Sequence, residues 1–301
     1  MLLSLTHETR YDYSPDVEIS RHLAHLKPPT SACQTLLEHS LYISPQAIEP
    51  IERTDLFGNA VQQWALYSPH SHLSVTAHSR VETLGPLQGQ SNMLWADAAA
   101  HFEYQAGHAS DEQTLYTFAS RHVPISADLR DWALQILQAN MSARSAGIAL
   151  MQRIFHDFVY DSQSTHVGTP TLTAFYQRRG VCQDFAHILL GALRSVGLAA
   201  RYVSGYLLTE PPPGQVKLVG SDASHAWVSL YLPDAADSPS GGWYDLDPTN
   251  NRHGWGSPGS DYIHLACGRD YADVSPLRGV IQGGANHTVS VSVTVAPMAS
   301  A

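Results

Sequence analysis

Three residue types in this chain could together break or make an acyl bond: a thiol at Cys182, an imidazole at His225 and a carboxylate at Asp247. A thiol attacks as its thiolate, which unpaired backbone NH groups and the dipole at a helix N-terminus favour. Cys182 stands where Gly180-Val181 passes into an apolar run at helical spacing, Phe185, Ile188, Leu189, Ala192, Leu193 and Val196, closed by Gly197. That spacing predicts a helix beginning at the cysteine. His225 opens an alternating segment after a polar stretch, so it should lie at the mouth of a strand, held rigidly yet within reach of the thiol proton. Asp247 ends the next alternating segment, on one face with Trp243 and Asp245 by the two-residue period. If the two strands form a hairpin, the carboxylate can orient the imidazole and stabilise its charged form.

Taken singly, each residue has a plain explanation. A cysteine after glycine is often a small buried side chain, a histidine can decorate a strand edge, and an aspartate before proline suits a turn. Jointly, nucleophile, base and orienting group all fall at element ends, in that order, within one segment of mixed helix and strand.

The elements that must position them begin with strands. Alternation marks residues 3–13, 36–43, 61–67 and 73–81, separated by turn signals of which Phe57-Gly58-Asn59 is the clearest. These predict a small antiparallel β-sandwich over residues 1–85. Ser110-Asp111-Glu112-Gln113 fits a capping box and predicts that helices begin there, followed by helical spacing through Trp132, Ile136, Ile148, Met151, Ile154 and Phe158. A linker with helices is therefore expected over 86–145 and an α+β catalytic unit over 146–301, with a last strand at 287–295 carrying Val289, Val291, Val293 and Val295 on one face. Two polar, Pro- and Gly-rich stretches, 209–223 and 250–268, adjoin His225 and Asp247. They are expected to wall a substrate cleft, the second through the aromatic surfaces of Trp255 and Tyr262.

Composition narrows the chemistry. Seventeen basic against 27 acidic residues give a net charge of -10, which disfavours nucleic acid as a partner. Three distant cysteines, Cys33, Cys182 and Cys267, lack a C-x-x-C element and suit a reducing compartment. The first residues carry too short an apolar run for a signal peptide, and no stretch approaches a membrane span, so a cytoplasmic protein without a membrane partner is expected. No H-E-x-x-H, paired cysteines or EF-hand loop points to a metal, and no P-loop to ATP, so no cofactor is expected.

Four motifs carry a family resemblance: Gly180-Val181-Cys182-Gln183-Asp184-Phe185-Ala186-His187, Ala200-Arg201-Tyr202-Val203-Ser204-Gly205-Tyr206, Ser224-His225-Ala226-Trp227 and Asp247-Pro248-Thr249. In register, they resemble the core of the bacterial transglutaminase-like superfamily. Leu56-Phe57-Gly58-Asn59 is similar to that family's N-terminal region, and the segment from Gly268 to Pro276 to its tail. The resemblance implies a papain-like core, a Cys182, His225, Asp247 triad, a peptide or glutamine-containing substrate, and an ATP-dependent peptide-ligase partner encoded elsewhere. Gln177 resembles by its place the oxyanion-hole glutamine of papain-like enzymes, although a helix-surface glutamine explains it as well. Asp184 reads as a helix-start residue serving loop contacts, and His187 as a core or hydrogen-bonding side chain. Three activities follow in order of expectation: hydrolysis of a peptide or amide bond through a thioester, transamidation between glutamine and an amine, and a binding module that keeps the fold without catalysis.

Overall fold

The computed structural model describes residues 1–104, 106, 110–209, 224–284 and 286–298. Five strands come first: β1 (Leu2–Ala24), β2 (Gln34–Ser44), β3 (Ile51–Thr54), β4 (Ala60–Leu66) and β5 (His70–Thr83). Helices α1 (Trp95–Ala100), α2 (Ala127–Leu134) and α3 (Ala143–Asp157) follow. Next come the short strand β6 (Val159–Tyr160), helix α4 (Thr171–Gln177), the short strand β7 (Arg179–Gly180) and helix α5 (Cys182–Ser195). Strands β8 (Ala200–Leu207), β9 (Ser224–Tyr231), β10 (Trp243–Asp247), β11 (Arg252–Trp255) and β12 (Tyr262–Gly268) complete the second unit before α6 (Tyr271–Val274), β13 (Leu277–Gly283) and β14 (Asn286–Pro297). Among the described residues no helix is long and apolar enough to cross a membrane.

The long strand β1 organises the first sheet. Its first half pairs with β5 and β14, its second half with β4 and β13, and its register against β5 breaks between Asp12 and Val17. Side chains from both halves meet in one apolar cluster containing Val17, Ala24, Trp64, Leu66, Leu73, Val75 and Ala77. The expected sandwich is thus a single seven-stranded antiparallel sheet sharing β1. The last strand, expected within the catalytic unit, lies here instead: Leu5 faces Val295 and Thr9 faces Val291. Of its alternating valines only Val293 and Val295 are buried against the sheet, whereas Val289 and Val291 are exposed, so the pairing with β1 rather than the valine pattern decides where the strand lies.

The helical linker also differs from expectation. Residues 112–117 form only a 3-10 turn, and Asp111 makes no cap hydrogen bond, because its carboxylate pairs with His101 at 2.6 Å. The side-chain caps are made further on, by Ser126 for α2 and Ser142 for α3.

The second sheet runs β11-β10-β9-β8-β12, antiparallel throughout. Ala226, Val228 and Leu230 of β9, with Ala200, Tyr202 and Tyr206 of β8, share a core with Ile188, Leu189 and Ala192 of α5. The stripe read from the sequence as the inward face of α5 is only part of its burial. From Asp184 to Arg194 every residue is buried, since α2, α3 and α4 pack around the sides that the sheet leaves open. Gly191 allows this on one side, where a Cβ would stand 2.6 Å from Leu129.

Of the two stretches expected to wall a cleft, 210–223 lie outside the described residues. The other is built of strands β11 and β12 with a short connection. Trp255 is 5% exposed, packed edge-on against Tyr244 at 5.2 Å and crossed by Gly89, so it is core rather than binding surface.

Candidate active site

Helix α5 begins at Cys182 because the chain before it is held in place. Asp184, in the first turn, turns its carboxylate back to accept from the Val181 amide at 2.9 Å and from the Thr165 hydroxyl at 2.6 Å. A side chain at position 180 would collide with that carboxylate at 2.7 Å, which is why glycine stands there. Asp184 therefore serves the helix start and the 161–169 loop, as its position suggested. Cys182, the first helical residue, has an amide that the helix ladder does not use, and its thiol is partly exposed.

The hairpin of β9 and β10 forms with Asp245 opposite Ser229 and Leu246 opposite Val228. This register brings His225 Nε2 to 2.7 Å from Asp247 Oδ2. The Cys182 side chain lies close enough to the ring to help raise its pKa. With Nε2 committed to the carboxylate, Nδ1 is the nitrogen left to face the thiol. Thiol, imidazole and carboxylate, separated by as much as 65 residues of sequence, thus form one chain of contacts.

Asp247 is fully buried and surrounded by donors. Besides His225, its Oδ2 accepts from the Tyr262 hydroxyl at 2.7 Å and Asn250 Nδ2 at 2.8 Å, while Oδ1 accepts from the Thr249 amide at 2.8 Å and the Asn250 amide at 3.3 Å. Burial would raise its pKa, but the His225 charge and these hydrogen bonds overcome it and hold the carboxyl below its usual range. For His225 burial opposes the charge, and the charge of Asp247, its hydrogen bond and the nearby Cys182 side chain outweigh it, pushing the imidazole up to about 10. Both shifts favour an imidazolium beside a carboxylate.

Asp245, on the same face, has a different role. It accepts from Trp227 Nε1 at 2.9 Å and Ser229 Oγ at 2.6 Å, and burial raises its pKa. It fixes the indole of Trp227, whose ring lies 6.1 Å from that of His225. Gly205, opposite His225 on β8, leaves room for this indole, because a Cβ there would lie 2.5 Å from it and 2.2 Å from the Ile263 carbonyl.

The remaining expectations sort clearly. His187 is buried, accepts from the Tyr271 amide at 3.2 Å and stacks on His122 at 5.4 Å, and burial holds it neutral with its pKa lowered to about 3. Gln177 is an exposed residue at the end of α4. Cys33 and Cys267 are buried, each with its sulfur 3.7 Å from a backbone carbonyl, of Trp255 and Phe57. Asn250 and Tyr262 touch the site without having been assigned to it. An aspartate followed three residues later by asparagine is a turn signal that could have placed Asn250. Tyr160 is exposed yet near enough to Cys182 for the thiol to influence its hydroxyl, and its aromatic neighbour is Phe185.

Residues 3–82 match the bacterial transglutaminase-like N-terminal region, and residues 130–248 match the transglutaminase-like superfamily core. An uncharacterized protein of Mycobacterium tuberculosis is 35% identical over 298 residues, covering 97% of this chain and 92% of that one. A protein-glutamine gamma-glutamyltransferase of Pseudomonas aeruginosa is 32% identical over 133 residues, 42% of this chain and 19% of the relative. A solved structure from Cytophaga hutchinsonii, described as a candidate cysteine protease, shares the fold with a TM-score of 0.75 at 20% identity, covering 100% of this chain and 92% of that one. The core match takes in the helix that starts at Cys182 and the hairpin that carries His225 and Asp247, and with the match to the first sheet it shows that the chain belongs to the transglutaminase-like superfamily.

Proposed function

We propose that the protein cleaves an amide or peptide bond through a thioester on Cys182, with His225 as acid and base and Asp247 as the group that orients it. The observation that carries this reading is the single contact chain from the thiol at a helix start, through His225, to a fully buried carboxylate. An imidazole pushed up to about 10 is charged at neutral pH, so it holds the proton that the leaving nitrogen must receive.

In the reaction the sulfur adds to the carbonyl carbon and the oxygen takes the negative charge, where the unused amide of Cys182 can donate to it. The imidazolium then gives its proton to the nitrogen as the carbon–nitrogen bond breaks, and ammonia or an amine leaves. The neutral ring next takes a proton from water, the hydroxide attacks the thioester, and the acid departs as the thiol is restored. Asp247 stabilises the charged ring on each pass.

The named relative from Pseudomonas favours a second reading, in which a primary amine replaces water as the acceptor. Incubating a glutamine peptide with and without a primary amine separates the two. Free acid in both samples supports hydrolysis, and an amine-linked product supports transamidation. Release of ammonia or cleaved product at wild-type rate by Cys182→Ala would sink both readings.

A further inference from the structure

We infer that Tyr262 is a positioning residue of this site, acting on His225 through the Asp247 carboxylate. The inference rests on the thiol reading above and adds a fourth side chain to it.

Tyr262 comes from β12, which is separated from β10 in the sheet by β9 and β8. It reaches Asp247 by spanning the strip in front of them, and every feature along that strip accommodates it. Gly205 lets the Trp227 indole lie across β8, and the Tyr262 ring packs edge-on against that indole at 5.5 Å and 85°. On another side the Arg252 guanidinium sits 4.7 Å from the ring centroid, itself clamped by two 2.6 Å bonds to Asp261. Between these two neighbours the phenol hydroxyl donates to Oδ2, the oxygen that also receives His225. Burial, then the charge of Asp247, raise the pKa of the phenol, so it remains a donor over the working range.

A carboxylate oxygen with three donors in fixed directions cannot rotate away from His225. Loss of the phenol would leave part of Oδ2 unsatisfied in a fully buried place, so the carboxylate would take a proton at higher pH. The imidazolium would lose its partner at the same point.

The test uses Tyr262→Phe in the full chain, which keeps the ring and its packing. Alkylation of Cys182 by iodoacetamide is followed by mass spectrometry across pH, beside kcat/KM on a glutamine peptide. The expected result is an acid limb moved upward by about one unit in both profiles, with KM little changed. An acid limb that superimposes on that of the wild type, or a uniform loss at every pH, overturns the inference. If Tyr262→Phe fails to fold by thermal unfolding, Arg252→Lys decides in its place. It keeps the charge but loses the two-point clamp, so a smaller shift in the same direction is expected and an unshifted profile again overturns the idea. Because alkylation needs no substrate, a chain with no turnover but the expected shift would overturn the amide-cleaving reaction alone. Normal turnover with an unshifted limb would overturn the role of Tyr262 alone.

Discussion

The two sheets are written in the same alternating code and use it for opposite purposes. In β5 of the first sheet alternation separates buried Leu73, Val75 and Ala77 from more exposed neighbours, the usual division between core and water. In the second sheet all five residues of β10 are buried, and so are the last seven of β9. Its polar face, with His225, Ser229, Asp245 and Asp247, turns toward protein. Alternation identifies a strand in both cases, but it does not show whether the polar side meets solvent. Where it does not, each polar group must find a partner, and those obligatory partnerships form the candidate site.

The sharpest way to break this comparison is to remove one charge from the buried polar face. Asp247→Asn should lower kcat/KM by on the order of 1,000-fold or more, since the amide can present a donor where the imidazole needs an acceptor. A milder loss than that of Asp245→Asn would move the orienting role to Asp245. The same pair predicts a pH dependence of stability. His225 is raised from 6.5 to about 10, so its contribution is complete below about 6.5 and is lost as pH rises through about 10. Asp247 is lowered from 3.8, so its contribution is present above that value and is lost as pH falls below it. Urea unfolding should therefore show the largest stability difference between wild type and Asp247→Asn from about pH 4 to 6.5. A difference that grows toward pH 10 would contradict the charged-pair description.

Gly205→Ala tests the packing beneath that face. The added methyl meets a carbonyl at 2.2 Å and the Trp227 ring at 2.5 Å, and should cost about 3 kcal/mol in urea unfolding. Wild-type stability would mean that the indole moves freely, against the fixed position described here. Asp245→Asn should cost less, about 2 kcal/mol, with turnover reduced less than tenfold, because the amide can keep only one of the two bonds that the carboxylate accepts. On the first sheet, Val280→Ser should change stability by no more than about 0.5 kcal/mol, since that side chain is 77% exposed. A loss comparable to that of Asp245→Asn would erase the contrast between the sheets.

What the sequence made legible follows from the same contrast. Cys182, His225 and Asp247 could be read because each sits at an element end, and the hairpin that joins the last two is local in sequence. Asp184 was legible because a helix start constrains what its third residue can do. In the sequence Tyr262 reads only as aromatic surface for a cleft wall, because nothing within β12 states that it must reach past two strands. Trp255 misled in the same way, with its burial decided by Gly89 and Tyr244.

The amides that join the two units carried no local signal at all. Gln34 exchanges two 2.8 Å bonds with the backbone of His264, and Asn59 exchanges bonds of 2.7 and 2.8 Å with that of Cys267. Both occupy the outer edge of β12 as a neighbouring strand would. Phe57-Gly58-Asn59 was recognisable as a turn, but the need to present Asn59 to an edge strand some 200 residues away could be seen only in three dimensions.

The return of β13 and β14 to β1 has a consequence in time. A ribosome releases β1 through β5 before the second unit, yet the strand that covers the open edge of β1 near Leu5 carries Val295 and is made after it. At ordinary rates of translation, roughly 200 intervening residues take about 10–40 s to synthesise. Throughout that interval the nascent chain presents an unpaired edge beside side chains that will later be core. Within this chain the first sheet is therefore completed only after the second unit has been made, because β13 and β14 supply the last partners of β1.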